Sequence, residues 1–183
     1  AITIADSATY VESLTGPAAI LIPEGSQLAI AAANSQRPHL QGGVSVRGTA
    51  PGASQAPGSL ALGGLLIEAA VMVLIGNLGE LRLSHCTVAP NSGMLLVTPS
   101  VAVGQQNSLL QVVLERTIAG PVSLPPTVPQ LNASDCIISS GPESSRWFHC
   151  WPSYSHVSPS STPRSSLPPN RTVRARAASN TIA

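Results

Sequence analysis

The sequence predicts an all-β chain wound as a parallel β-solenoid, and three observations carry that expectation. An eight-residue signature recurs in the first 142 residues, and fixed-period self-similarity is the mark of stacked repeats. Short apolar stretches alternate with period two and are punctuated by Gly and Pro, as half-buried strands are. Few segments keep a 3.6-residue period for ten residues, so helices are not expected.

The signature reads apolar, any, apolar, then two residues that are often polar or Gly, then a small or apolar residue, any, apolar. It occurs as Leu60-x-Leu62, Gly63-Gly64, Leu65-x-Ile67, and as Leu81-x-Leu83, Ser84-His85, Cys86-x-Val88. It recurs as Val112-x-Leu114, Glu115-Arg116, Thr117-x-Ala119, and as Leu131-x-Ala133, Ser134-Asp135, Cys136-x-Ile138. A weaker copy is Leu28-x-Ile30, Ala31-Ala32, Ala33. The small central position therefore falls at 33, 65, 86, 117 and 136, in steps of 32, 21, 31 and 19. Physically this is two short strands meeting at a corner. Unbroken alternation would turn Cys86 outward, and the two-residue insert resets the phase so that 86 and 88 face inward like 81 and 83.

Further strands are expected at Val71–Ile75, Met94–Val97 and Val122–Leu124, with protruding loops at Ala50–Pro57 and Thr98–Asn107 in the longer steps. Stacking would bury a continuous aliphatic column, with equivalent strands paired in parallel about 4.8 Å apart. The rival architecture is a β-sandwich, which would not repeat one signature in phase.

Composition bounds the chemistry. The chain has 183 residues, nine basic and eight acidic, and every basic residue is Arg. Without Lys there is no P-loop lysine, no Schiff base to pyridoxal phosphate and no kinase lysine. Residues 1–145 carry a net charge of −4 and residues 146–183 a net of +5, so the overall balance averages two unlike segments and is no argument for nucleic-acid binding; no nucleic-acid partner is expected. The chain opens on Ala1 and its first Met is Met72, which suggests a fragment or a processed product; no secretory signal is visible. The apolar run Leu60–Ile75 has 16 residues and a carboxylate, Glu68, near its centre. It falls short of the roughly 20 residues a spanning helix needs, so no membrane insertion is expected. Membrane association around 60–75 is the weakest reading.

The stretch LALGGLLIEAAVMVLIGNLGELRLSHCTVAPNSG, followed by LERTIAGPVSLP and LNASDCIISS, resembles the right-handed parallel β-helix class with pectin-lyase-like coils. It is most similar to large bacterial β-helix proteins of uncharacterised function, some encoded near contractile phage-tail-like particle genes. The segments IADSATYVE and IPEGSQLAIAAANSQRPHL resemble the first coils of such a module, so the resemblance covers residues 1–142. It implies a fold and little about activity, because the matching positions are packing positions. Within that class, pectate-lyase-like cleavage needs several carboxylates gathered for Ca²⁺, and polygalacturonase-like hydrolysis needs clustered Asp. The body of this chain has only Asp6 and Asp135, with single scattered Glu residues.

Residues 143–183 read as an irregular or disordered tail. From Arg146 onward the chain turns to Ser, Pro, Arg, Trp, His and Cys with no strand or helix period. A shifted reading frame in GC-rich DNA is the alternative origin of that change. The last coil then lacks a cap, and its open edge invites association.

The candidate binding residues are His85, Arg116 and Asp135, which occupy one outer corner position on successive repeats. Catalytic residues are not assigned. No close carboxylate pair suited to a glycosidase is visible, although distant rungs could bring Glu80 and Glu115 together. Cys86 and Cys136 read as small buried residues two repeats apart, too distant for a disulfide; three Cys leave the compartment open. His149, Cys150 and His156 match no closed zinc signature, so no metal or cofactor is expected. Trp147, Phe148, Trp151 and Tyr154 beside Arg146 read as an incidental aromatic cluster. Asn132-Ala133-Ser134 and Asn170-Arg171-Thr172 are sequons. Together these features point to a non-catalytic scaffold whose partners are other modules of the same or a particle protein. The alternative is a β-helix that binds or cleaves carbohydrate on a lateral face.

Overall fold

A computed structural model describes residues 1–52, 54–89 and 94–139, together with the backbone of the strand Trp147–Cys150. The chain winds three strands per coil. The first coil holds β1 (Ile2–Ile4), β2 (Thr9–Tyr10) and β3 (Ile20–Ile22), and the second β4 (Gln27–Ala32), β5 (His39–Leu40) and β6 (Val44–Gly48). The third holds β7 (Ser59–Gly63), β8 (Leu66–Ile67) and β9 (Val71–Val73), and the fourth β10 (Glu80–Ser84), β11 (Thr87–Val88) and β12 (Leu95–Val97). The fifth holds β13 (Gln111–Glu115), β14 (Ile118–Ala119) and β15 (Val122–Ser123), and the sixth β16 (Gln130–Ser134) and β17 (Cys136–Ser139), with β18 (Trp147–Cys150) following. The 3-10 turn Gly16–Ala18 is the only helical piece among the described residues.

Equivalent strands stack into three sheets. The first runs β1-β4-β7-β10-β13-β16, the second β2-β5-β8-β11-β14-β17-β18, and the third β3-β6-β9-β12-β15. Every pairing is parallel except β17 with β18. This is a parallel β-helix, and its register is the one the signature predicts. Leu28, Leu60, Leu81, Val112 and Leu131 lie in one row, and Ile30, Leu62, Leu83, Leu114 and Ala133 in the next. The third sheet adds the inward rows Val44, Val71, Leu95, Val122 and Val46, Val73, Val97. Each fully buried aliphatic side chain contributes about 1.5–3 kcal/mol relative to exposure, and each does so only because the coils above and below cover it.

The apolar run 60–75 is accounted for by this geometry. Leu60, Leu62, Leu65, Ile67, Val71 and Val73 all enter the core from β7, β8, β9 and the corner between them. No helix among the described residues is long and apolar enough to cross a membrane.

The two-residue corners work as expected, and the backbone shows how. Gly64 (φ +70), His85 (φ +55), Arg116 (φ +47) and Asp135 (φ +53) are all left-handed. One left-handed residue at the end of a strand rotates the next strand and restores the inward phase, so Leu65, Cys86, Thr117 and Cys136 are all buried. Successive corners are tied together, since Gly64, His85 and Arg116 donate their N–H groups to the carbonyls of Ser84, Glu115 and Ser134, each at 2.9 Å.

Two expectations need correction. The second coil does not turn at Ala31-Ala32 with its inward slot at Ala33. There β4 continues through Ala32, the chain runs out through a loop at 33–37 with Ser35 left-handed (φ +64), and the buried slot is Pro38. The register requires this, because His39 pairs with Leu66 and Leu40 with Ile67. Alanine favours neither strand nor bend there, and the Arg37-Pro38 bond sets the point where extended chain resumes. The second correction is β18, in a stretch expected to keep no strand period. It pairs antiparallel with β17, matching Cys136 with Cys150 and Ser139 with Trp147, and so covers that edge of the second sheet. Four residues are too few to show alternation, and pairing with a waiting edge overrides weak local signal. The remaining expectations about residues 140–146 and 151–183, including the reading frame, lie outside the described residues.

Between the third and first sheets a polar ladder is buried in the wall. Asn107 (φ +51, fully buried) accepts from the N–H of Leu78 at 3.1 Å and donates to the carbonyl of Leu74 at 3.0 Å. Asn77 donates to the carbonyl of Pro51 at 2.8 Å. Each amide thus satisfies main-chain groups of a neighbouring coil that the bend leaves unpaired.

Candidate functional site

The outer corner column is assembled by the left-handed residues just described. His85, Arg116 and Asp135 project from consecutive coils and are all exposed. Arg116 Nη1 lies 3.4 Å from His85 Nε2, and Arg116 Nε lies 3.9 Å from Asp135 Oδ2. Because guanidinium only donates, Nε2 is the acceptor and Nδ1 carries the ring proton in this contact. The Arg116–Asp135 pair is long and mostly solvated, so it adds little stability. The three residues are therefore brought together as a column.

The outer face of the first sheet carries the other polar cluster. Arg82 Nε donates to Glu80 Oε1 and Arg82 Nη1 to Glu115 Oε1, each at 3.0 Å. These two carboxylates do share a site, as the sequence allowed, but a guanidinium stands between them. The hydrogen bond that Arg82 donates to Glu80, then the charges of both acids, hold its guanidinium above its ordinary value. Both acids are thereby engaged by the guanidinium, which leaves neither as a free nucleophile.

Below this cluster the face is nearly flat. The outward residues of β4 and β7 include Ala29, Ala31, Ser59, Ala61 and Gly63. At the corner end a depression of about 480 Å³ is lined by residues 31–37, Gly63, Gly64, Ser84 and His85. At the other end a second, of about 380 Å³, lies beside Gln27, Ala29, Ser59, Ala61 and Glu80. The corner depression exists because the 33–37 loop stands out and because Gly63-Gly64 leaves the space beneath it unfilled.

Three of the inward slots beneath the corner are occupied by small hydrogen-bond donors. Cys86 Sγ lies 3.4 Å from the carbonyl of Leu62, Thr117 Oγ1 is 3.2 Å from that of Leu83, and Cys136 Sγ is 3.1 Å from that of Ser134. Burial pushes the Cys86 thiol up from its ordinary value, opposed by weaker hydrogen bonds from Leu65 and its neighbours. Both cysteines are buried. Among the described residues no three His, Cys, Asp or Glu side chains are grouped so as to hold a metal ion. The side chains of His149, Cys150, His156 and the aromatic cluster lie outside the described residues.

Two residues that matter here escaped the sequence. Arg37 is presented by the loop that the signature misplaced, and its signal was the Pro that follows it. Arg82 was legible only as an outward residue between two leucines. Comparison with protein-family models, with curated proteins and with solved structures finds no match for this chain.

Proposed function

We propose that this chain is part of a right-handed, pectin-lyase-like β-helix that acts as a non-catalytic scaffold, spacing or displaying other modules of a larger bacterial protein or particle. The observation that carries the reading is the clamp of Glu80 and Glu115 on Arg82, which occupies the acids of the broadest outer face. The like-on-like core supports it, since its coils invest their sequence in packing. Chemistry on the lateral faces would need free acids or a metal.

The test has two arms. Purified chain is assayed on acidic and neutral polysaccharides, and turnover lost on changing His85, Arg116 or Asp135 to Ala overturns the reading. A folded reporter inserted in the 98–107 loop should leave the melting temperature within a few degrees of the parent, because loop-closure entropy grows slowly with length. Collapse of the coil stack on insertion speaks against a display role. A second reading, a carbohydrate-binding lateral face, is favoured by the two depressions bracketing the flat strip of β4 and β7. Retention on a polysaccharide column without turnover distinguishes it.

A further inference from the structure

We propose that the corner depression beneath the 33–37 loop is a binding site for a tetrahedral oxyanion, a phosphate or sulfate group, held chiefly by Arg37 and His85. The proposal is independent of the scaffold reading.

The loop is built and fixed. The third to sixth coils turn this corner in two residues, whereas the second spends residues 33–37 on it. Those residues are anchored to the first coil and to themselves. The Arg37 N–H donates to Ser7 Oγ at 2.9 Å, Ser7 Oγ donates to Gln36 Oε1 at 2.8 Å, and the Gln36 N–H donates to the Ala33 carbonyl at 3.0 Å. Pro38 is buried in the inward slot and restricts Arg37 to extended backbone. The guanidinium is therefore carried on a pinned base.

The space below is kept open. Gly64 has φ +70, and a Cβ there would lie 3.0 Å from the Ala32 Cβ. On the next coil the equivalent left-handed residue is His85, which forms the far wall. Arg116 occupies Nε2 of His85 and leaves Nδ1–H as a donor.

The charge is one-sided. No carboxylate lines the depression. Among the described residues Arg37 makes no ion pair within 4.0 Å, whereas Arg82 and Arg116 each have an acid. Donors come from separate chain segments: Arg37 and Asn34 from the loop, and Ser84 and His85 from the corner. Arginine's fork matches two oxygens of a phosphate or sulfate, and a donor from the opposite wall can take a third. The volume exceeds that of a bare ion, so the oxyanion would be the end group of a larger molecule lying along the strip of Ala31 and Gly63.

The test follows the imidazole of His85 by NMR in the full chain, at fixed pH and at ionic strength matched with chloride. His85→Asn assigns the resonance, because Asn tolerates the left-handed corner. Inorganic phosphate, inorganic sulfate and acetate are titrated separately. A saturable shift with phosphate or sulfate, weakened about tenfold or more by Arg37→Ala and unchanged by Arg47→Ala on β6, supports the site. A preference between the two anions tells a phosphorylated ligand from a sulfated one. No saturable shift, equal response to acetate, or equal loss in the Arg37 and Arg47 variants overturns it. Melting curves of each variant establish that the chain is folded during the titration.

Discussion

The middle coils and the first coil use the same inward positions and bury them very differently. Ile2 stands in register with Ile30, Leu62, Leu83 and Leu114. Ile2 is 52% exposed, whereas Leu62 is 1% exposed and Leu83 and Leu114 are fully buried. At the other end of the adjacent row Leu131 is 40% exposed. Sequence pattern sets which way a side chain points, and neighbours on both sides set what that is worth. Stability in such a stack is a sum of coil-to-coil interfaces, and within the described residues the first coil has one where a middle coil has two.

The sharpest way to break this comparison is to remove a polar rung. Asn107→Ala orphans the Leu78 N–H and the Leu74 carbonyl inside the wall, at about 1–3 kcal/mol for each buried group. Ser7→Ala removes the exposed link from the first coil to Arg37 and should cost only about 0.5–1.5 kcal/mol. Denaturant melts of the two variants should differ accordingly, and equal losses would show that the ends are as cooperative as the middle. Next in size is the aliphatic row. Leu83→Ala should cost about 2–5 kcal/mol, and Ile2→Ala well under half of that, because the latter leaves a surface dent and no cavity. Unfolding midpoints at constant m-value test it.

A smaller effect separates the glycines. Gly25 and Gly64 share a left-handed backbone, at φ +66 and +70, but a Cβ at Gly25 meets nothing within 4 Å. Gly25→Ala should cost about 1–2 kcal/mol from conformation alone, and Gly64→Ala should exceed it by the crowding against Ala32. The smallest effect is read from pH. Cys86 is held neutral by burial, so its folded value lies above the unfolded one. Its contribution is complete below about pH 8.5, where the unfolded thiol begins to ionise, and is lost as pH rises through the folded value. Asp6 behaves oppositely. Its carboxylate accepts from the Ala8 N–H and the Tyr10 hydroxyl, which lowers its value, so its contribution is present at neutral pH and lost on acidification. Cys86→Ala should flatten the alkaline limb and Asp6→Asn the acid limb of melting temperature against pH.

Much of the fold was legible because period-two alternation and a two-residue phase reset leave a mark in each coil. That mark located rows 60, 81, 112, 131 and 62, 83, 114, 133, and the buried slots 65, 86, 117 and 136. It failed at Ala33, where five consecutive small or polar residues carry no alternation to reset. Only the Pro at 38 and the later register reveal where the coil resumes. The Asn ladder was not legible, because a buried amide and an exposed one look alike in a sequence. The corner column was visible since its residues share a place in the signature. Arg37 was not, since its neighbours there belong to the third and fourth coils.

The left-handed corner has one more consequence. Gly, His, Arg and Asp occupy the same station on four consecutive levels, and the three main-chain links between those levels are alike. The winding thus accommodates a bare backbone, a ring or either charge at this station. Such an edge works as a rail on which charges and rings can be exchanged, level by level, without unwinding what lies behind it.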